Sequence, residues 1–438
     1  MSKSFYNIVF ILFIISTGMG SVVSQKNLLK SGPMLGPVTL RDVTLWVQTT
    51  TDASVYFTYR VKGSKNKYVK SETVQALKND AYTVQIHISG LTPGTTYEYK
   101  TNINDKEVSR PYTTEFTTQS QWQYRTDPPD FTFIAGSCFY INDTSYDRPG
   151  NPYGGDYNVV NEMYKSRPDL MVWLGDNIYL REGDFESRSG IYYRHTHTRS
   201  LPELQPFLSS IPQYAIWDDH DYGSNDSDWT YPLKNHSLDA FKDFWPSETY
   251  GAGGTDGVTN SFVWNDCQFF MLDDRWYRTA NLNYGSILGE VQKYWLKETL
   301  LSSRATFKFI AVGGQFLSDF AGFENFANYK AEREEIINFL DENNIKGVVF
   351  LTGDRHHSEI TKLKTKKGNV FYDVTSSAIT STTYDHSNEI NSLRVKGSMV
   401  SERNFGVFSV KGNQDKRSLA VTFKNVTGKE VYQYDFEF

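Results

Sequence analysis

With 438 residues, 39% of them apolar and 22% charged, the chain is long enough for two or three domains and too apolar to be disordered. Its net charge of −6, with no basic stripe to neutralise phosphates, argues against nucleic acid as a partner; a phosphate ester held through metals remains compatible. Residues 1–24 read as a secretory signal. Lys3 supplies the positive start, residues 8–15 (IVFILFII) form an apolar run too short to cross a bilayer, and Val22-Val23-Ser24 is an acceptable cleavage site. No other segment approaches membrane-spanning length. The mature protein is therefore expected to be exported (periplasmic or secreted), monomeric and free of a membrane span once the signal is removed.

Residues 28–118 alternate apolar and polar in short runs separated by turns: Val43, Leu45 and Val47, then Val55, Phe57 and Tyr59, then Val84, Ile86 and Ile88. That pattern predicts an all-β sandwich. The run GLTPGTTYEYK (residues 90–100) resembles the tyrosine-corner segment of fibronectin type III domains, with Tyr97 at the corner. Residues 119–130, carrying Pro128-Pro129, suit a linker because paired prolines resist helix and sheet alike.

From Phe131 onward apolar strands alternate with helical segments, which predicts an α/β layered unit over residues 131–438. Strands are expected in FTFIAGSCF (131–139), LMVWLGDNIYL (170–180), YAIWDDHDYG (214–223) and VVFLTGDRHH (348–357). The run FVWNDCQFFMLDD (262–274) reads as one core strand. Helices are expected over 157–166, 237–245, 288–301 and 332–343, and loops over 251–257 and 380–392. The alternating segment 405–438 is expected to add edge strands.

The four strands end in chemistry. They deliver Cys138, then Asp176 and Tyr179, then three acids around His220, then Asp354 and His356, a set that makes a metal site. A hydrolytic metal pair needs a carboxylate shared by two cations, and Asp176 is the candidate bridge. Tyr179, three residues on, would reach the same ion as a phenolate, which suits Fe3+. Taken alone, Gly-Asp-x-x-Tyr could equally be a capped helix start. Consecutive acids at a strand end need a cation or a basic partner; Asp219 is the candidate ligand of the second ion, and His220 the proton donor to a leaving oxygen. Asp354 and His356 would project to one side if the backbone stays extended, with His357 pointing elsewhere, toward substrate. Cys138, beside these groups, reads as a metal thiolate rather than half of a disulfide with Cys267, which reads as an inert core thiol. His195 and His197 lack accompanying acids and are expected at the surface or behind the ligands. Arg275, in LDDRWYR, would orient a substrate phosphate, hold a ligand carboxylate or form a structural ion pair.

Ser137-Cys138, Gly175-Asp176-x-x-Tyr179, Trp217-Asp218-Asp219-His220-Asp221 and Gly353-Asp354-x-His356, in that order, resemble the motifs of PhoD-like alkaline phosphatases, relatives of the purple acid phosphatases among the metallophosphoesterases. The resemblance implies a two-sheet catalytic unit preceded by the β-domain. It implies Fe3+ at Cys138, Asp176, Tyr179 and His356, and one or two Ca2+ or other divalent ions near Asp176, Asp219 and Asp354, with Asn225. Cys138 stands where purple acid phosphatases carry aspartate, and Gln315 falls where those enzymes place another ligand. An evident twin-arginine signal is missing. The expected activity is hydrolysis of small phosphate monoesters, and of diesters where the pocket admits them, by in-line attack of a metal-bound hydroxide. The alternatives are a phosphodiesterase or phospholipase D-like enzyme on the same metals, with loop 380–392 deciding, or a secreted binding protein whose metals are structural.

Overall fold

The strand Leu170–Leu174 (LMVWL) is buried at every residue, as a strand covered on both faces must be. It lies in a six-stranded sheet whose lateral order is Gln213–Ile216, Leu170–Leu174, Phe131–Gly136, Asn404–Lys411, Ser418–Asn425 and Glu430–Asp435. A second six-stranded sheet runs Asn260–Trp264, Cys267–Met271, Phe307–Ala311, Val348–Thr352, Val370–Thr375 and Glu359–Lys364. This computed structural model describes residues 28–280 and 285–438, so the signal expected over residues 1–24 lies outside the described residues.

The inner faces of the two sheets meet in one apolar layer. Phe133 of the first sheet sits 5.2 Å from Phe269 and 4.9 Å from Phe309 of the second, edge to face. Alternate residues point outward. Ile134, Met171 and Trp173 pack with helices Val159–Lys165, Arg188–Arg199, Leu204–Ser210 and Lys234–Phe244. Phe270, Ile310 and Phe350 pack with Gly289–Ser302 and Lys330–Glu342. The result is helix, sheet, sheet, helix, as the alternation of apolar strands and helical segments predicts.

Two expectations need correction. The run 262–274 is a hairpin rather than one strand: Asn265 takes φ +51 between Trp264 and Cys267, a turn that asparagine tolerates. The C-terminal segment does not merely decorate an edge. Asn404–Lys411 pairs antiparallel with Phe131–Gly136 in the middle of the first sheet, and the edge belongs to Glu430–Asp435.

Residues 28–118 form all-β structure. Leu29–Val38, Val43–Thr49 and Thr83–Ile88 make one sheet; Ala53–Val61 and Thr96–Ile103 anchor the other. The Tyr97 hydroxyl accepts the Thr92 amide at 2.9 Å, closing the turn the sequence marked. Trp46 Nε1 donates to the Asp243 carbonyl at 2.7 Å and Tyr99 Oη to the Ser209 carbonyl at 2.6 Å, tying this region to the helices over the first sheet.

Candidate metal centre

The chemistry-bearing residues follow directly on the carboxyl ends of Phe131–Gly136, Leu170–Leu174, Gln213–Ile216 and Val348–Thr352, where an α/β sheet opens to ligands. Glycines let these ends converge. Gly175 has φ +91, and a Cβ there would lie 2.5 Å from that of Asp218. A Cβ on Gly353 would lie 2.4 Å from Ser137 Oγ. Cys138, Asp176, Asp354 and His356 all take φ between +52 and +63, left-handed conformations that cost a non-glycine residue about 1–3 kcal/mol and gather at functional sites. The expectation that an extended backbone sets Asp354 and His356 side by side is corrected accordingly: the strand stops at Thr352. Both nonetheless line one cleft of about 620 Å³ with Asp176, Asp219, His220 and Asn225.

Ligand atoms of Cys138, Asp176 and His356 lie within 4.8 Å of one another, and so do those of Asp176, Asp219 and His220, and those of Asp218, Asp219 and Glu324. Asp176 thus joins a sulfur and nitrogen pocket to a carboxylate pocket. Cys138 Sγ is 3.5 Å from Asp176 Oδ2, and Tyr179 Oη is 3.4 Å from His356 Nε2. Nδ1 of His356 faces the Thr382 carbonyl, so Nε2 turns its lone pair toward this pocket. Ser377 Oγ donates to Cys138 Sγ at 3.1 Å. Asp354 lines the same cleft but belongs to none of these three groups.

The electrostatics are those of a site short of positive charge. Burial, reinforced by Cys138 and Asp219, drives the Asp176 carboxyl well above its usual range. Burial lifts the Tyr179 phenol well above its ordinary value, with Asp176 adding to it, and pushes the Cys138 thiol up. Burial lowers His220, partly offset by Asp219. Asp176 is 1% exposed, yet its Oδ1 has no hydrogen-bond partner among the described residues; nor do Asp218 Oδ2 and His220 Nδ1. Buried polar atoms are normally paired, so the orphaned oxygen of Asp176, grouped with the Cys138 thiol and the His356 imidazole, and that of Asp218, grouped with Asp219 and Glu324, fit cations.

Other expectations place differently. Arg275 is completely buried: its guanidinium grips Asp218 and, through both terminal nitrogens at 2.7 Å, Glu324. It holds the carboxylates Asp218 and Glu324, in line with the carboxylate-holding and ion-pair alternatives. His357 is corrected too. It is sealed from the cleft, with Nε2 3.5 Å from Glu359 Oε2 and its ring 4.7 Å from that of His386. Gln315 donates to Glu359 and Thr375, both at 2.9 Å, and does not line the cleft. His195 is not superficial but buried in helix Arg188–Arg199 against Phe244, ring centroids 5.0 Å apart; His197 sits half-buried on the Asn142 carbonyl at 3.0 Å. Cys138 and Cys267 are both buried and free, with no bridge between them. Within WDDHD, Asp218 caps the short helix Asp219–Tyr222 and Asp221 accepts the Asp218 amide at 3.0 Å. Sequence reasoning missed Glu324, which reaches the cluster from a loop with no periodic signal.

Known proteins resemble this chain in sequence and in fold. The PhoD-like phosphatase family model matches residues 133–416, and a domain of unknown function (DUF7800) matches residues 26–121. Alkaline phosphatase D of Bacillus subtilis (strain 168) is 26% identical over 368 residues, 72% of this chain and 59% of that protein. The chain thus spans about three fifths of that curated relative's length. A solved structure of PhoD superposes with a TM-score of 0.75 at 19% identity, covering 93% of each chain. The purple acid phosphatase PPD1 from yellow lupin (Lupinus luteus) seeds gives 0.69 at 12% identity, covering 92% of this chain and 74% of that one. The fold is shared with both, and the matched model spans more than half of the sequence: the chain belongs to the PhoD-like phosphatase family.

Proposed function

We propose that this chain is an exported, metal-dependent phosphoric ester hydrolase acting on small phosphate esters. The observation that carries the reading is Asp176, buried with an orphaned oxygen between a thiol, phenol and imidazole pocket and a carboxylate pocket. Cys138, Asp176, Tyr179 and His356 would hold one ion, which we assign as Fe3+. Asp176, Asp219 and Asp354, with Asn225 at the exposed rim, would hold one or two Ca2+ or other divalent ions. Such ions supply acidification of water and neutralisation of phosphate oxygens.

The protein's own groups do the rest. The Thr382 carbonyl holds His356 in one tautomer. Arg275 holds Asp218 and Glu324 in place, so the carboxylate wall keeps its shape. His220 lines the cleft with its ring 4.3 Å from that of Tyr179 and Nδ1 unpartnered among the described residues; we assign it the proton delivered to the departing alkoxide. Export rests on Lys3 and the apolar run 8–15. We take residues 28–118 and 131–438 as the two units of a monomer, with catalysis in the second. Among the described residues no helix is long and apolar enough to cross a membrane.

Elemental analysis with a visible spectrum, alongside turnover of p-nitrophenyl phosphate and its bis ester, tests the reading. Coloured, iron-containing protein that hydrolyses the monoester is expected; the bis ester sets monoester against diester preference. Colourless, iron-free and fully active protein would overturn the iron assignment. Metal-replete protein that turns over neither ester would overturn the function.

A further inference from the structure

Beyond the metal centre the cleft continues. Tyr153, His220, Asn225 and Tyr384 line both the metal cleft and a second space of about 1010 Å³. His220 stands at the junction, so this second space lies on the side to which His220 would hand its proton.

Arg181 forms part of the wall of that space. The residue is 7% exposed. Its guanidinium carbon lies 4.6 Å from the Tyr140 ring centroid, 5.4 Å from that of Tyr153 and 5.7 Å from that of Tyr179. Among the described residues its guanidinium makes one hydrogen bond, from Nε to Tyr140 Oη at 3.0 Å, and no ion pair. The nearby carboxylates are committed elsewhere. Glu182 is held by Arg148 at 2.6 Å, Asp147 takes the Tyr140 hydroxyl, and Asp184 takes Arg194 at 2.8 Å and the Arg181 amide at 2.9 Å.

A buried charge without a counter-charge is costly, and all but one of the other buried arginines avoid it. Arg194, Arg275, Arg278 and Arg355 each meet a carboxylate. Arg199 has none, but it donates to the Phe244 carbonyl at 3.1 Å and lies 3.8 Å over Trp245, away from both clefts. Arg278 and Arg355 also border the metal cleft, but each is paired with a carboxylate; of the arginines that border a cleft and are buried, Arg181 is the one without such a pair among the described residues. Tyrosine faces support a guanidinium while leaving its terminal N–H edge free, and that planar edge matches a carboxylate or phosphate.

We propose that Arg181 recognises a second anionic group, phosphate or carboxylate, carried by the leaving alcohol of the substrate. The preferred substrates are then phosphate esters with an anionic tail a few atoms beyond the scissile bond. The inference rests on the hydrolase reading above, and the test separates the two.

Butyl phosphate, 4-(phosphonooxy)butanoate and butane-1,4-diol bisphosphate share a four-carbon leaving group and differ in its tail. Wild-type protein should favour one or both anionic tails by about ten- to a hundredfold in kcat/KM, mostly through KM, the gain expected of a charge-assisted hydrogen bond. The carboxylate and bisphosphate arms show which tail is read. Arg181→Met should bring that ratio close to one, and Arg181→Lys should keep part of it. Arg148→Gln, which removes an exposed charge already paired with Glu182, should preserve it. Equal kcat/KM for all three esters in the wild type would overturn the inference, as would an equal loss on all three in Arg181→Met. If no ester is hydrolysed, the hydrolase reading fails; calorimetric binding of the same three compounds then decides, with tighter binding of the tailed compounds lost in Arg181→Met supporting the inference and indifference to the tail overturning it.

Discussion

The turn after strand Val348–Thr352 separates two buried polar clusters that solve opposite problems. On one side, Asp373 accepts the Phe316 and Leu317 amides at 2.8 Å and the Thr352 hydroxyl at 2.7 Å. There Glu359 accepts Gln315 and Asn391, each at 2.9 Å, and pairs with Arg394. On the other side, Asp176, Asp218 and Asp274 each keep an oxygen without a hydrogen-bond partner among the described residues. Burial acts on both. At Glu359 it is outweighed by His357 and Arg394, which hold the carboxyl at about 2; at Asp176 nothing outweighs it and the carboxyl rises. A buried acid whose partners are supplied belongs to the fold, whereas one left short awaits a ligand.

The contrast is sharpest for activity against stability. Asp176→Asn should cut hydrolysis of p-nitrophenyl phosphate by about a thousandfold or more, the several kcal/mol a bridging ligand supports, while metal-free protein melts no lower than the wild type. A variant that loses melting temperature but keeps turnover would place Asp176 with the structural acids. Glu359→Gln should do the reverse. Breaking a buried ion pair costs about 3–5 kcal/mol, read as a lower urea midpoint. Unchanged stability with abolished turnover would erase the distinction between the clusters.

Metal replenishment should act on one cluster only. Adding cation at a hundred times its dissociation constant should stabilise the stripped wild type by about 2.7 kcal/mol and Asp176→Asn much less, measured by thermal unfolding. The smallest effect concerns His195, a buried imidazole in neither cluster. Burial, with Arg199 beside it, lowers its pKa to about 3 from an ordinary 6.5. The folded state then binds fewer protons than the unfolded one, so stability is intact above pH 6.5 and is lost as pH falls toward 3. At pH 5 the loss attributable to His195 is about 2 kcal/mol, and His195→Leu should remove that share of the acid sensitivity. An identical pH slope in the variant would contradict the burial effect.

Much of the centre was legible before folding because strands covered on both faces have no room for polar residues. In LMVWL-Gly-Asp and VVFLT-Gly-Asp the first acid after the apolar run marks where the sheet ends and solvent begins. By the same logic Cys138, Tyr179 and Asp219 could be named from sequence, and helix spacing located Gly289–Ser302 and Lys330–Glu342 within a residue or two. Partnership was not legible. Nothing local distinguishes Arg275, which meets Glu324 from a loop 49 residues on, from an arginine facing substrate. His356 and His357 are adjacent, yet φ +56 at His356 sends one imidazole into the cleft and the other beneath it. The central place of Asn404–Lys411 is likewise a contact across 270 residues or more of chain. Apolar periodicity is a property of neighbouring residues and survives in the sequence; which buried charges are satisfied depends on groups brought together only when the two sheets close, and that the tertiary structure alone decided.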